Sequence, residues 1–468
     1  MDCPKFMEWI VRNLWNVFKL LNNQYIMGLA PEGYKRRLIE KELNEQLRAF
    51  GGVVIEGPMW CGKTWLGMNA SESSFEVGSV DEYGQDNREL ADMNVRLAME
   101  GKEPHLIDEW QEVPKLWDAV RSDLDHNPGK GRYILTGSST PKERKPLHSG
   151  TGRIKHLRMR TMSLYESEDS SGDVSLRDII EGHAPELTGH GTHLDHLVDL
   201  TMSGGWPGNL GLPYADRINS VRGYLESVVT KASELDGMRR KESNLWMAVR
   251  SLARNESTLA DVTKIHNDTG VPMGPDMPLI LDEKVSAENT PVSYDTVTDY
   301  LDVLDRLFLI DNQPAFDPNL RSSIRVGKRV KRHFTDPSLG IVALNVGKER
   351  LTKDLKTYGF FFEAMCERDL SIYARTFGAR QYHYRDDSDT EVDSIIEMPD
   401  GSYAAIEIKL GANKIDEGAE SLLKFRNKME KHKAKSVPRA MCVVCGLTNR
   451  AYLRDDGVYV VPVTMLGP

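Results

Sequence analysis

The residues of this sequence that most clearly indicate chemistry are Gly57-Pro-Met-Trp-Cys-Gly-Lys63-Thr64. They match the pattern G-x-x-x-x-G-K-[ST], in which backbone N–H groups surround phosphate oxygens, a lysine neutralises phosphate charge and a hydroxyl binds Mg²⁺. Gly57 and Gly62 would allow the tight loop, while Lys63 and Thr64 would contact the phosphates and Mg²⁺. The sequence therefore predicts a nucleotide site with ATP and Mg²⁺ as cofactors.

Two adjacent acids follow the loop and fit the same chemistry. Asp108 is predicted to hold Mg²⁺ through water, and Glu109 to polarise the water that attacks the γ-phosphate. Segment 103–105 just before them is unusual for a buried strand, so a charge cluster at a helix N-terminus is an alternative interpretation. A further apolar segment ends at Thr136 and Ser138, which would form a polar sensor facing the nucleotide.

These residues require elements that bring them to one edge of a sheet. The apolar run Val53-Val54-Ile55 precedes the phosphate loop, and a helix-compatible segment follows it. Strands and helices then alternate along the chain, which predicts an α/β fold with a parallel sheet and the ligand at the carboxyl ends of its strands.

The C-terminal third holds a second set of candidate residues. Glu407 and Lys409 are two apart on a predicted strand and share one face, and a hairpin at 399–401 would bring Asp393 beside them. Glu363 lies at the start of an apolar helix. These groups would hold one or two Mg²⁺ or Mn²⁺ ions, with Lys409 orienting a water toward a phosphodiester.

Several further motifs follow the phosphate loop, and their order and spacing along the chain resemble those of a known family. After the phosphate loop come Ile107-Asp-Glu-Trp-Gln111, Leu135-Thr-Gly-Ser-Ser139, Gly152-Arg153, Met162-Ser-Leu-Tyr-Glu166 and Gly204-Gly-Trp-Pro207. From about Gly33 to the C-terminus, this series resembles the prokaryotic AAA+-type ATPases that carry a C-terminal nuclease-like domain. The resemblance implies that Asp108 and Glu109 form the Walker B pair and that Thr136 to Ser138 act as the sensor. Arg153 would sense the γ-phosphate or form a structural salt bridge.

The C-terminal candidates resemble the PD-(D/E)XK nuclease core. Glu363, Asp393, Glu407 and Lys409 stand at the matching positions, as metal ligands and catalytic residues. The same core occurs in DNA-binding domains that do not cleave. Two functions therefore remain open, namely metal-dependent DNA cleavage and an ATP-driven switch whose nuclease-like domain binds DNA or protein without cleaving.

The middle of the chain predicts helices followed by a strand pair, as in a winged helix. Ser293, Tyr294 and Thr296 would begin its recognition helix, and the alternative is a helical subdomain that packs on the ATPase. The predicted domains are an N-terminal helix (1–32), a P-loop AAA+-type ATPase domain (33–210), a helical or winged-helix-like domain (211–335) and a nuclease-like domain of mixed α/β, restriction-endonuclease-like fold (336–468).

Composition limits the partners and the compartment. The chain has 468 residues and a net charge of -10, which excludes nonspecific adhesion to nucleic acid by its whole surface. The basic strip Arg321 to His333 holds six lysines and arginines and no acid, and segments 142–160 and 424–439 are also rich in lysine and arginine. Any one such segment is typical of a solvated face, whereas three of them in an acidic chain indicate a polyanion partner such as DNA. Five scattered cysteines indicate a reducing cytoplasm.

Charges interrupt the apolar segment 6–26, so a docking helix is expected there, with membrane-surface contact a weaker alternative. The sequence leaves the subunit number open.

Overall fold

The structure, a computed structural model, describes residues 29–80, 86–139, 151–237, 239–269, 292–319, 321–322, 329–386, 388, 390–431 and 436–468. Almost all of the predicted N-terminal helix lies outside these residues, as do Arg325 and Lys328 of the basic strip. Within the described part of the chain, no helix is both long and apolar enough to cross a membrane.

The first unit is built on a parallel sheet. Its elements are α1 (Glu40–Ala49), β1 (Gly52–Glu56), α2 (Lys63–Asn69), β2 (Ser73–Glu76), α3 (Asn87–Met93), β3 (His105–Asp108), α4 (Lys115–His126), β4 (Tyr133–Gly137) and β5 (Ile154–Arg158). The strand order is β2-β3-β4-β1-β5, and every pair is parallel. Val53, Val54 and Ile55 are fully buried, as expected for a central strand covered on both faces. The predicted parallel α/β sheet is confirmed.

The Walker B segment is a strand despite its unusual start. The buried ring of His105 lies 2.7 Å from Ser73 Oγ and 3.1 Å from Ala98 O, so its polar nitrogens have partners. Leu106 and Ile107 are completely buried on β3. The alternative of a charge cluster at a helix N-terminus is therefore wrong, because hydrogen bonding compensates for the buried imidazole.

The middle unit consists of helices that end in a hairpin. Four short elements come first in the chain, namely β6 (Val174–Ser175), α5 (Leu176–Glu181), β7 (Leu187–Thr188) and α6 (Leu194–Ser203). The elements of the middle unit itself are α7 (Tyr214–Glu234), α8 (Glu242–Arg254), α9 (Val262–Thr269), α10 (Tyr294–Arg306), β8 (Ile310–Gln313) and β9 (Lys331–Phe334). Ser293 is the N-cap of α10, and its hydroxyl accepts from Thr296 N at 3.2 Å. β8 and β9 pair antiparallel, with Gln313 opposite Lys331.

The C-terminal unit is a mixed sheet between helices. Its elements are α11 (Pro337–Ala343), α12 (Lys348–Lys353), α13 (Leu355–Thr376), β10 (Arg380–Arg385), β11 (Glu391–Glu397), β12 (Tyr403–Gly411), α14 (Ile415–Lys431), β13 (Ala440–Leu447), β14 (Arg450–Leu453), β15 (Val458–Pro462) and β16 (Leu466–Gly467). The strand order is β10-β11-β12-β13-β15-β14-β7. On β12, Ile406 packs in the core that contains α13, and Ala405 in the core that contains α14. Because successive side chains of a strand point to opposite faces, β12 packs against α13 on one face and against α14 on the other.

Residues between β5 and α7 belong to the C-terminal core. Helices α5 and α6 contribute Ile179, Leu197 and Val198 to the cluster around α13. In addition, β7 pairs with β14 and β6 with β16. The packing therefore groups residues 174–203 with the C-terminal unit, although the predicted ATPase domain extends to residue 210.

Candidate nucleotide site and acid cluster

The phosphate loop joins the carboxyl end of β1 to the N-terminus of α2. Gly62 has a φ of 100°, a left-handed conformation that favours glycine. Gly57 packs against the chain after β5 so closely that a Cβ there would lie 2.3 Å from Met159 O. The two glycines thus set the curvature of the loop and its contact with the neighbouring strand.

Lys63, Thr64 and Asp108 meet beneath the loop. Lys63 is 4% exposed, and its Nζ donates to Pro58 O at 2.8 Å. Thr64 Oγ1 donates to Asp108 Oδ1 at 2.8 Å, and Thr136 Oγ1 donates to the same oxygen. Burial raises the pKa of the Asp108 carboxyl, while these two hydroxyls oppose the shift. A hydroxyl beside a carboxylate is a donor set that suits Mg²⁺.

Glu109 is held by the residues predicted as the sensor. Its backbone N–H donates to Thr136 Oγ1 at 3.0 Å, and its carboxylate accepts from Ser138 Oγ at 2.9 Å. Gln111 Nε2 donates to the same carboxylate oxygen. Glu109 has a φ of 55°, a strained conformation of a kind that clusters at functional sites. Thr136 and Ser138 therefore fix both acids of the Walker B pair.

A cleft of about 770 Å³ opens over these groups. Lys63, Thr64, Glu109 and Ser138 line its floor. Trp60 of the loop is 57% exposed on its wall, and its ring centroid lies 5.3 Å from that of Tyr224 on α7. Lys231 of the same helix also lines the cleft. Helix α7 therefore contributes to a cavity of the size that small ligands occupy.

Arg37 supports the phosphate loop and was not identified from the sequence. Its Nη1 donates to Cys61 O at 2.7 Å, and its Nη2 to Arg160 O at 2.9 Å. Its Nε lies 3.0 Å from Glu166 Oε1, and both side chains are at most 4% exposed. Glu166 is the last residue of the Met162–Glu166 motif. The sequence therefore indicated the acid of this ion pair but not its partner Arg37.

Arg153 lies far from the nucleotide cleft. It precedes β5, whose carboxyl end, not its amino end, adjoins the phosphate loop. A five-residue strand spans roughly 16 Å. The Arg153 guanidinium forms an ion pair with Asp125 of α4. Two roles were considered for Arg153, namely sensing of the γ-phosphate and a structural salt bridge. The structure agrees with the salt bridge.

The structure places the three strand residues of the C-terminal candidate site side by side. Lys409 Nζ lies 2.5 Å from Glu407 Oε2 and 3.8 Å from Asp393 Oδ2. Asp393 Oδ2 also accepts from Ile408 N at 2.8 Å. Burial and the charge of Asp393 raise the pKa of Glu407 to about 8. The hairpin between β11 and β12 accounts for this arrangement, as its sequence spacing predicted.

A lysine from the middle unit enters the same site. Lys331 of β9 is 2% exposed, pairs with Glu363 Oε1, and lies 3.7 Å from Glu367 Oε1. Burial acts to lower the pKa of Lys331, but the carboxylates of Glu363 and Glu367 outweigh it and raise that pKa. Burial raises the pKa of Glu363 to about 7, against the effect of Lys331. We call Glu363, Glu367, Asp393 and Glu407 the acid cluster; the ammonium groups of Lys331 and Lys409 lie against it.

Two expectations are thereby corrected. Among the described residues, no three His, Cys, Asp or Glu side chains form a group that could hold a metal ion. The carboxylates of Glu363, Asp393 and Glu407, predicted to be metal ligands, face Lys331 and Lys409 instead, so the arrangement does not fit a divalent cation. Lys331 was also predicted within an exposed basic strip, and it is buried because the acid cluster compensates its charge.

Two solved structures show distant overall similarity to this chain. The Walker-type ATPase PABY2304 of Pyrococcus abyssi is 12% identical, with a TM-score of 0.37 over 69% of this chain and 99% of that chain. The Thermotoga maritima RuvB Holliday junction branch migration motor is 14% identical, with a TM-score of 0.26 over 62% and 94%. No conclusion about function follows from similarity at this level.

Family comparisons divide the chain into three segments. Residues 194–350 and 358–466 match two families described as domains of unknown function, DUF8612 and DUF4143. No curated protein matches the chain. Residues 50–168 match the family described as AAA domain. Together with the parallel sheet and the phosphate loop, this match shows that the first unit is an AAA-type P-loop ATPase domain.

Proposed function

We propose that the protein binds ATP with Mg²⁺, hydrolyses it, and uses the cycle as a conformational switch. The observation that carries this proposal is the hydrogen-bonded set Thr64, Asp108 and Thr136, with Glu109 beside it. Thr64 and Glu109 of this group line one cleft. Bound Mg²⁺ would supply positive charge at the β- and γ-phosphates.

Each residue has a distinct task in that reaction. Lys63 would leave Pro58 O and donate to phosphate oxygens, while Thr64 and Asp108 would hold the metal, Asp108 through water. Glu109 would orient the attacking water and accept its proton. Ser138 and Gln111 both donate to Oε2 of this carboxylate, so Oε1 is the oxygen that would accept from the attacking water.

Nucleotide binding is tested with Lys63→Ala. A hydrogen bond to a charged group contributes about 1.5–3 kcal/mol, so affinity for a non-hydrolysable ATP analogue should fall about 10- to 100-fold. Lys155→Ala, an exposed lysine on β5, is the matched control and should leave affinity unchanged. Thermal stabilisation by the analogue is the readout. Equal stabilisation of parent and Lys63→Ala would refute the site.

Association with DNA is a second proposal and rests on fewer residues. Three helices and a hairpin follow one another in the order of a winged helix, and Arg329 beside the hairpin is 67% exposed. However, α10 carries four aspartates and a single arginine, which disfavours its insertion into a groove of DNA. We therefore assign DNA contact to Arg321 and Arg329 of the basic strip and not to α10.

Metal-dependent DNA cleavage is the function that the geometry supports least. Lys331 and Lys409 neutralise the carboxylates that a metal ion would need. We expect purified protein with ATP and Mg²⁺ or Mn²⁺ to leave linear, supercoiled, branched and single-stranded DNA intact. Nicking that disappears in Asp393→Ala would contradict this expectation and restore the nuclease.

A further inference from the structure

We propose that the cavity between the end of β5, the β8–β9 hairpin and α13 binds a small organic phosphate, whose phosphate group is held by Arg158, Arg160 and Arg380. This cavity is separate from the nucleotide cleft, and the two share no lining residue among those that the structure describes. Binding there needs neither ATP nor the phosphate loop.

The cavity has a volume of about 630 Å³, within the range that small-molecule ligands occupy. All three units supply its walls. Helix α1 and the end of β5 come from the first unit, the hairpin from the middle unit, and α13 with β10 from the C-terminal unit. A second cavity of about 530 Å³ shares Arg158, Arg160 and Arg375 with it. These arginines therefore lie where the two cavities meet.

The lining of the larger cavity carries an excess of positive charge. Among the described residues that line it are five arginines and three acids, namely Arg158, Arg160, Arg368, Arg375 and Arg380 against Glu42, Asp311 and Glu367. The whole chain has a net charge of -10, so this local excess is opposite in sign to that of the protein. A concave site with charge of one sign concentrates ligands of the other sign. The cavity therefore favours an anion.

Two of the five arginines already have acids of their own. Arg375 Nη2 donates to both carboxylate oxygens of Glu42, at 3.0 and 2.9 Å. The guanidinium of Arg368 is buried and lies 2.9 Å from Asp336 and 2.8 Å from Asp369. These two arginines hold the walls together. The charge that a ligand can use therefore comes from the other three.

Arg158 and Arg160 share the carboxylate of Asp311. The chain stays extended just past β5, because Met159 N donates to Glu56 O, and residues two apart in an extended chain point to the same side. Arg160 Nε lies 2.5 Å from Asp311 Oδ2, and Arg158 Nη2 lies 3.8 Å from Asp311 Oδ1. Burial acts to raise the pKa of Asp311, but the two guanidinium groups outweigh it and lower that pKa to about 2. Two cations therefore face one acid.

Both of these guanidinium groups keep hydrogen-bond donors that no described residue uses. Arg158 Nη2 donates to Ile310 O at 2.9 Å, while Arg158 Nε is buried without a hydrogen-bond partner in the described part of the chain. For the Arg160 guanidinium, the bond to Asp311 is the only hydrogen bond to a described residue. A guanidinium has five N–H donors in a planar fork that matches two phosphate oxygens. The unused donors are thus of the kind that binds phosphate.

Arg380 adds a third cation to the same wall. It is the first residue of β10, and its side chain is exposed at the edge of the cavity. The five arginines then exceed the three acids of the lining by two charges. A phosphate monoester carries about -1.5 to -2 charges at neutral pH. The charge of such a group therefore matches the excess of the lining.

The rest of the cavity has room for an organic group. Pro314, Ala364 and Ala379 give it apolar surface, and Asn312 and Gln381 give it amide groups. A bare phosphate ion would leave most of the 630 Å³ unfilled. Ligand sites typically combine apolar walls with a few polar groups that fix orientation. The lining therefore fits a phosphate that carries a small polar body, such as a sugar phosphate.

The site is tested by isothermal titration calorimetry with inorganic phosphate, ribose 5-phosphate and ribose. The parent should bind ribose 5-phosphate more tightly than inorganic phosphate, and ribose not at all. Arg380→Ala should weaken the binding of ribose 5-phosphate about 10- to 100-fold, because a hydrogen bond to a charged group is lost. Arg350→Ala removes an exposed arginine of α12 and, as the matched control, should leave affinity unchanged.

A second variant tests the shape of the donor. Arg160→Lys keeps a positive charge beside Asp311 but removes the planar fork, so ribose 5-phosphate should bind about tenfold more weakly. No binding of ribose 5-phosphate to the parent, or equal affinity in the parent and Arg380→Ala, would overturn the site. Inorganic phosphate bound as tightly as ribose 5-phosphate would overturn the organic ligand.

Lys63→Ala distinguishes this site from the phosphate loop. It should lose affinity for an ATP analogue and keep that of the parent for ribose 5-phosphate. If Lys63→Ala loses ribose 5-phosphate while Arg380→Ala keeps it, the probe occupies the phosphate loop, and the second site is wrong although the proposed function stands. If the parent binds ribose 5-phosphate but no ATP analogue, the proposed function fails alone.

Discussion

Lys63 and Lys331 are two buried lysines with opposite surroundings. Lys63 is 4% exposed and donates to a backbone carbonyl, and in the described part of the chain it forms no ion pair. Lys331 is 2% exposed and lies against two carboxylates. A buried charge needs compensation. The charge of Lys63 is therefore left for an external anion to compensate, whereas Lys331 already has carboxylate partners within the protein.

The largest effect is expected where the nucleotide site has its own buried ion pair. Arg37→Met would leave Glu166 buried without its counter-charge, and breaking such a pair costs about 3–5 kcal/mol of unfolding free energy. Denaturant unfolding measures the loss. The matched control is Lys35→Met, whose partner Glu168 is exposed, and its stability should be unchanged. If Arg37→Met and Lys35→Met lowered the free energy of unfolding equally, the buried ion pair would contribute no more to stability than the exposed one.

The next effect separates binding from chemistry at the nucleotide site. Glu109→Gln should keep the affinity for ATP but slow hydrolysis by a factor on the order of 10² or more, because an amide cannot accept the proton of water. Phosphate release under single-turnover conditions is the measurement. Asp393→Asn, in the acid cluster, should leave hydrolysis unchanged. Turnover of Glu109→Gln equal to that of the parent would assign the base to another residue.

A smaller effect sharpens the contrast through pH, because the strand of Lys331, β9, also contains His333, whose pKa is lowered by burial and by Lys331. Burial lowers the pKa of His333 to about 3. The unfolded chain binds a proton near pH 6.5, so the unfolded state holds more protons below that pH and stability falls as pH decreases. At pH 5 the loss is about 2 kcal/mol relative to neutral pH.

His333→Gln isolates this contribution. Its free energy of unfolding should fall less between pH 7 and pH 5 than that of the parent, by about 2 kcal/mol. His183→Gln, which removes an exposed imidazole, should keep the pH profile of the parent. If all three proteins show the same profile, His333 is protonated in the folded protein.

The smallest effect concerns the exposed surface just before β9. Arg329→Ala should weaken binding to DNA of any sequence and lower the log–log salt slope by roughly one, as for the loss of one phosphate contact. Arg254→Ala removes a similarly exposed arginine of the middle unit and is the control. The measurement is affinity at several salt concentrations. An unchanged slope would leave the basic strip without a role in DNA binding.

The parts of the site that could be predicted are those set by short-range spacing. Lys63 and Thr64 follow β1 within one loop, and Glu407 and Lys409 share one strand face opposite Asp393. Counting residues along a loop or hairpin was enough to place them.

The parts that could not be predicted depend on contacts between units. Arg37 meets Glu166 across 129 positions, and Lys331 meets Glu363 across 32 positions and a unit boundary. No local pattern reveals such partners. A basic segment in isolation indicates an exposed surface, and only the packing of β9 against α13 shows that one of its lysines is buried. Likewise, the hydrophobic period of α5 and α6 gives a buried face but does not say which core buries it.

The exposed indole of Trp60 has a consequence for how the protein can be observed. It projects from the phosphate loop, has a φ of 63°, and contacts Tyr224 on a helix of the neighbouring unit. The emission of an indole depends on the polarity of its surroundings. Ligand entry and relative motion of the two units would both alter those surroundings, so the molecule carries a built-in optical reporter of its own cycle.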